Sequence, residues 1–393
     1  MSSKIHLFSI QQALKDHHID GWLVYDFKGK NRVALDLFGI SPSSFLTRRF
    51  FYWVPAEGEP VKIFHATDAT LAQNFEGKTR VYSSWKELET TLFSVLSSAR
   101  VIAMEYWPSP LLPSQAILDA STKEWISLQD ITIVSSWPII GSLVGQFTDF
   151  QKESHQAASA ITQKAIDTAW TVLQKKLASN TTITEKGLQE VVIGVMHEEG
   201  AIFDHPPIVA VGTHTAIPHH ESQDAPITKN SLVLIDAWCK LNDSFAPYAD
   251  LTQMAFTGKK VPEKISKIYD VVRQAQEAAL MYIDTCLKNG CSIFGAEVDI
   301  ACRSVIESHG FGKYFCHRTG HNIFLSVHGP GANLDNFETR DTRRLTVNSC
   351  YSVEPGIYIP DTYGVRVECN VLIDSPKTTI VSGKAPNTLR TLC

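Results

Sequence analysis

The sequence predicts an α/β domain followed by a larger α+β domain, on three observations. Residues 1–135 alternate short apolar runs with stretches of helical spacing. Residues 136–148, SWPIIGSLVGQFT, carry one proline and two glycines and read as a connection. From residue 205, strand-like runs flank a pair of helices, the pattern of an α+β half with a largely antiparallel sheet. The expected division is 1–148 and 149–393.

The elements follow in order. Residues 21–27, 49–55, 60–66 and 100–107 are rich in Val, Ile, Phe, Tyr and Trp beside turn residues, and read as strands. Residues 5–19, 68–75 and 85–99 space their apolar positions as helices do. After the connection, Asp149 is an N-cap candidate for a long helix. Its apolar face holds Ala157, Ala160, Ile161, Ala165, Ile166, Ala169 and Leu173, and Ser179-Asn180-Thr181-Thr182 ends it. A second helix runs from about 184 to 199 and stops at Gly200. Helices over 262–289 and 295–309 close on Gly290 and Gly310. Between and beyond them PPIVAVG, LVLIDAW, CYSVEPGIYI and VRVECNVLI read as strands.

Composition narrows the function classes. With 393 residues, 44% hydrophobic, 20% charged and a net charge of −5, the chain is neither disordered nor fibrous. No apolar run nears the roughly 18 residues of a membrane span, and charges interrupt the first 20 residues where a secretion signal needs an apolar core. A mildly acidic chain without a basic stripe argues against nucleic acid. Eight cysteines, all beyond residue 238 and with no CxxC pair, suggest reduced thiols and a cytoplasmic setting. Cys239 and Cys369 read as core side chains rather than reactive thiols.

Five side chains then stand out: Asp236 in LIDAW, Asp250 in YADLT, His321 in TGHN, Glu354 in VEPG and Glu368 in RVECN. Four of them lie in or beside apolar, strand-like runs. An unpaired carboxylate there is very costly, and several together need positive charge. Divalent metal ions supply it. Four carboxylates and one imidazole form an oxygen-rich set with capacity for two ions, suited to Mn, Co, Fe or Zn. Each residue taken singly also fits a structural role; their joint order carries the reading.

That order, in LIDxG-like, ADxT, GHxxG-like, EPG and RxE contexts, resembles the metallopeptidases of the pita-bread fold over about residues 150–393. The first 150 residues are more weakly similar to the N-terminal domain of the proline-specific, creatinase-like branch. The resemblance implies an α+β, pita-bread catalytic domain behind a smaller α/β domain. It implies two divalent metal ions, with Mn(II) expected, held by Asp236, Asp250, His321, Glu354 and Glu368. Asp236 would bind through both oxygens, and Asp250 and Glu368 would bridge. His219 in the PHH run, His328 and Arg366 would join Glu354 in catalysis, Glu354 as the proton-transfer group. The implied activity is an Xaa-Pro aminopeptidase acting on short peptides with proline second. Xaa-Pro dipeptidase (prolidase) is the near alternative, and a metal-free, creatinase-like or binding member the distant one. A homodimer is implied, with no nucleic acid and no membrane. His205, His214 and His317 are left with structural or rim roles.

The chain also departs from the family pattern. LIDxG becomes LIDAW, GHGIG becomes GHNIF, the acid expected after His328 is Gly329, and Cys369 follows the last glutamate. The hairpin between the two aspartates is longer than usual, and Gln253 stands where arginine is usual. The stretch 328–345 reads either as a substrate-covering loop or as a solvated connection.

Overall fold

A computed structural model describes residues 7–31, 35, 38, 40, 46–108, 112, 116–143 and 145–392. The chain divides into two compact units, Met1–Val144 and Gly145–Cys393.

In the first unit the expected apolar runs form strands Gly21–Phe27, Arg49–Pro55, Val61–His65 and Val101–Met104. Two further strands, Lys78–Tyr82 and Thr132–Ser135, complete a mixed six-stranded sheet as its edges. The edge strand Lys78–Tyr82 buries only Tyr82, so its sequence carries no apolar run to betray it. Helices Leu7–Asp16 and Trp85–Val95 lie within the predicted spans; residues 5–6 fall outside the described residues. The helix expected over 68–75 is only a 3₁₀ segment, Ala69–Asn74. Asp68 makes no cap bond there, because its carboxylate accepts the Thr47 and Arg48 N–H groups instead. The connection at 136–148 contains helix Trp137–Leu143, whose Pro138 sits in the first turn, where the missing N–H costs nothing.

The second unit begins with helix Asp149–Ala178. Its N-cap is Thr148, not Asp149: the threonine side chain accepts from Gln151 N–H while Gln151 reaches back, a reciprocal capping box. Helix Glu185–Glu198 packs beside it. A second pair, Glu263–Asn289 and Gly295–Ser308, follows, and Gly290 closes the first of these in a left-handed conformation. The strands are mostly antiparallel, as predicted.

The hairpin of strands Leu232–Leu241 and Ala249–Phe256 sets up the site. Successive side chains on a strand point to opposite faces. Val233, Ile235, Ala237 and Cys239, with Ala249, Leu251 and Ala255, pack against the first helix pair. The other face starts apolar, with Leu232, Leu234, Met254 and Phe256 joining the core of the second helix pair. The same face then turns polar. Asp236 pairs across to Thr252, and Asp250 to Trp238.

Candidate metal centre

Directly opposed residues of an antiparallel pair share a face. The register therefore brings Asp236, Trp238, Asp250 and Thr252 together. Glu368 joins them from the segment between strands Tyr363–Arg366 and Cys369–Ser375, held by its N–H to the Thr252 carbonyl at 3.0 Å. Asn370 fixes Asp250 by two bonds to its backbone: the side-chain amide donates to the carbonyl at 2.6 Å and its oxygen accepts the N–H at 3.0 Å. Glu354 follows strand Ser349–Val353, and its N–H donates to the Thr319 carbonyl. His321 precedes strand Asn322–Ile323, and its N–H donates to Ser352 Oγ.

One ligand atom each from Asp250, His321 and Glu368 lies within 4.8 Å of the other two. Nε2 of His321 is 3.9 Å from Asp250 Oδ2 and 3.4 Å from Glu354 Oε1. Asp236 sits outside this tightest group. Its Oδ2 accepts from Arg366 Nη2 at 2.6 Å, which leaves one oxygen free where the family resemblance implies two ligating oxygens.

Among the described residues, three buried carboxylate oxygens have no hydrogen-bond partner: Asp236 Oδ1, Asp250 Oδ1 and Glu368 Oε1. Burial, followed by the charges of neighbouring carboxylates, raises Asp250 and Glu368 well above the ordinary carboxylate range. Burial likewise pushes Glu354 up to about 7. Burial, then His328 and Arg318, holds His321 far below its usual value and therefore neutral. Its Nδ1 faces the Asn322 carbonyl at 3.2 Å, an acceptor only, so the ring proton belongs there. The Nε2 lone pair then faces the carboxylate oxygens of Asp250 and Glu354. A divalent cation satisfies the lone pair, the three orphan oxygens and the excess negative charge at once, so these residues fit a metal.

Arg366 organises one side of the site. It clamps Asp236, and its Nε donates to Thr252 Oγ1 at 3.3 Å, which in turn donates to Glu368 Oε2 at 2.8 Å. Each of these two acids thus has one oxygen held and the other free. Nη1 of Arg366 also reaches the Pro218 carbonyl at 3.2 Å and Tyr358 Oη at 3.1 Å. Tyr358 meets His317 Nε2 at 2.8 Å, while His317 Nδ1 faces the Arg318 carbonyl. Burial, then Arg366, lowers His317 to about 3, so it is neutral; its proton lies on Nδ1, and Tyr358 donates to Nε2. Of the structural or rim role read for His317, the structural one fits its place in this chain of bonds. Nothing in the sequence pointed to Tyr358, beyond its standing four residues after Glu354.

His219 and His328 are both exposed, whereas His220 is buried. The His328 ring lies edge-on to His321, centroids 4.3 Å apart. His220 donates to Glu185 Oε2 at 2.8 Å. Glu185 opens helix Glu185–Glu198 and is completely buried. It also takes His214 Nδ1 and the N–H groups of Val211 and Gln223. Burial raises its pKa, but these four donors outweigh that and hold it below the usual range. Its three-ligand geometry could hold an ion, yet each oxygen already has two partners. Sequence reading missed Glu185; the only signal was an acid directly after the capping Thr184.

Two of the family departures are one packing event. Asn322 is fully buried, donates to the Cys350 carbonyl and accepts from Gly331 N–H. A Cβ on Gly329 would sit 2.3 Å from Asn322 Oδ1, and one on Gly331 2.4 Å from its Cγ. The asparagine at 322 therefore leaves no room for a side chain at 329. The stretch 328–345 mixes exposed and buried residues. Asp335, Asp341 and Arg343 are buried in it, and Asp335 accepts three backbone N–H groups. Cys239 and Cys369 are buried in the core, as expected.

Comparison with known proteins completes the picture. The family model of metallopeptidase family M24 matches residues 153–375. The Xaa-Pro dipeptidase of Lactobacillus delbrueckii subsp. lactis is 34% identical over 166 residues, covering 42% of this chain and 41% of that protein. The chain spans about half the length of the curated relatives it matches, from 40% to 60% for the first three. The prolidase structure from Thermococcus sibiricus superposes with a TM-score of 0.71 over 100% of both chains, at 24% identity. The X-Pro aminopeptidase structure from Thermotoga maritima gives 0.64 at 20% identity, over 98% of this chain and 99% of that one. These structural likenesses establish the pita-bread fold with two domains.

Proposed function

Because this chain belongs to metallopeptidase family M24, we propose that its carboxylate-lined site hydrolyses the bond between an N-terminal residue and a following proline. The observation that carries the reading is the set of three unpartnered, buried carboxylate oxygens facing a neutral imidazole. It disfavours the metal-free alternative, which would leave those groups unpaid.

Asp236, Asp250, His321, Glu354 and Glu368 would hold two divalent ions, with Mn(II) the expected metal. Bound there, the ions supply an activated water and polarise the scissile carbonyl. The chain's own residues do the rest. Glu354 would accept a proton and return it to the leaving nitrogen. The proline nitrogen carries no hydrogen in the peptide and must gain one to leave. Arg366 keeps Asp236 and Glu368 oriented, the latter through Thr252. His219 and His328, both exposed, would donate to the substrate backbone or to the developing oxyanion.

Aminopeptidase is the first reading; the relatives named as dipeptidases keep prolidase as the second. The proposal extends to a homodimer, a cytoplasmic setting and a division of labour between 1–148 and the catalytic 149–393. Seven free cysteines among the described residues suit a reducing compartment. No helix among them is long and apolar enough to cross a membrane.

The test is a panel of Xaa-Pro dipeptides, Xaa-Pro-Yaa tripeptides and N-terminal Met peptides, assayed with Mn, Co and Zn. Cleavage of the tripeptides supports the aminopeptidase, and of dipeptides alone the prolidase. Cleavage only after Met overturns the proline assignment. Absence of bound metal at near-stoichiometric amounts overturns the mechanism, and a monomer by light scattering overturns the dimer.

A further inference from the structure

Trp238 is the odd member of the metal-facing set. It lies directly opposite Asp250 and two residues from Asp236, on the face that carries both. Every other residue of strand Leu232–Leu241 from 232 to 240 is buried, yet Trp238 is only half-buried. Trp238 thus shares the strand face of the two aspartates and keeps part of its surface exposed. The ring packs with Phe324 and Val327 onto a small apolar cluster of Phe147, Tyr248 and Ile323. Trp238 and Phe324 both stand where the family pattern has glycine. Two separate glycine losses thus build one aromatic surface next to the ligands.

The indole is not free to swing. Its Nε1 donates to Asp204 Oδ1 at 2.9 Å, an oxygen that also accepts the His205 N–H. The Asp204 side chain is 48% exposed, with Oδ2 3.7 Å from His205 Nδ1. Its charge is felt at both Asp250 and His328. A peptidase that removes the N-terminal residue must recognise a free ammonium group, and the half-exposed Asp204 carboxylate suits that group.

We propose that Trp238, braced by Asp204 and backed by Phe324, is the wall that limits the size of the substrate's N-terminal residue, with Asp204 attracting its ammonium group. This rests on the peptidase reading above. Trp238 is a specificity residue: it touches the first side chain and takes no part in bond breaking. The wall favours small first residues such as Gly and Ala over Leu and Phe.

The experiment uses the metal-loaded full chain with Xaa-Pro-Yaa peptides, in which Xaa and Yaa are varied separately among Gly, Ala, Leu and Phe. In parallel, calorimetry measures binding of free alanine and phenylalanine. Trp238→Ala is expected to raise the Phe-to-Ala ratio of kcat/KM at Xaa by about tenfold or more, the usual scale for opening an apolar pocket. Trp238→Phe, which keeps a ring and the fold, is expected to shift the ratio in the same direction by less. Asp204→Asn keeps an acceptor for the indole and removes the charge. It is expected to raise KM a few-fold at low salt, with kcat held. Ratios unchanged within twofold in both tryptophan variants overturn the proposal, as does a shift that follows Yaa instead of Xaa. If the wild type cleaves none of the peptides, the peptidase reading fails. The amino-acid affinities then decide this inference: a Phe-to-Ala ratio that rises in Trp238→Ala supports it, and an unchanged ratio overturns it.

Discussion

Glu185 and Glu368 are both buried acids close to imidazoles in the same unit, and the chain treats them in opposite ways. Glu185 has four N–H donors for its two oxygens, two from histidines and two from backbone, and its pKa falls. Glu368 has one hydroxyl on one oxygen, nothing on the other and further carboxylates close by, and its pKa rises. The imidazole differs too. His214 and His220 turn ring nitrogens toward Glu185 as hydrogen-bond partners, whereas His321 keeps its proton on the far nitrogen and presents a lone pair. A cluster of acid and histidine is thus not a metal site by composition. The deciding feature is whether the protein's own donors already satisfy the acid.

The sharpest way to break this comparison is to remove one acid from each cluster. Asp250→Ala is expected to abolish metal binding and lower kcat/KM by about 10³-fold or more, several kcal/mol of lost electrostatic stabilisation. The same change relieves repulsion with Asp236 and Glu354, so the metal-free variant is expected to melt no lower than metal-free wild type. Elemental analysis and calorimetry in chelator check both halves. A metal-free variant that is strongly destabilised would show that the carboxylates are already satisfied by the protein.

Glu185→Gln reverses the pattern. The amide cannot accept at both ends, so two of the four donors lose their partner inside the core. The expected cost is about 3–5 kcal/mol in denaturant unfolding, with metal stoichiometry unchanged. The pH dependence has a definite sign. Glu185 titrates lower in the folded chain than unfolded, so its contribution is complete above about pH 4.3. It is lost as pH falls through the folded value. The gap between wild type and Glu185→Gln is therefore expected to close on acidification. A gap that stays constant would mean that Glu185 is already neutral.

Legibility in the sequence follows the same line. The candidate ligands could be read because Asp236, Asp250, His321, Glu354 and Glu368 occur together and in order, although each taken singly also fits a structural role. Glu185 could not, since Thr-Glu at a helix start is ordinary capping sequence and its partners come from residues 211–223. Tyr358 was hidden because its role depends on Arg366 and His317 converging in space. In the first unit, the central strands were plain from Val, Ile, Phe and Trp runs. Lys78–Tyr82 was not, because an exposed edge strand needs no apolar face. Trp238 was visible only as a departure from a family pattern. The cross-strand register gave it a place beside Asp250.

The smallest expected effect lies next to His321. Asn322 satisfies both ends of its amide, the Glu185 solution transplanted to the edge of the unsatisfied site. The cost is space: Gly329 and Gly331 must remain without side chains. Gly329→Ala puts a methyl 2.3 Å from Asn322 Oδ1 and 3.0 Å from the Asn322 carbonyl oxygen. Overpacking of this kind typically costs about 1–3 kcal/mol. Asn322→Gly removes the obstruction as well as two hydrogen bonds, so the double variant is expected to lose less than the two single losses added together. Thermal unfolding of the four proteins in a double-mutant cycle measures that coupling, expected at about 0.5 kcal/mol or more. Simple additivity would mean that Gly329 is dictated by something other than Asn322, and the two family departures would then need separate explanations.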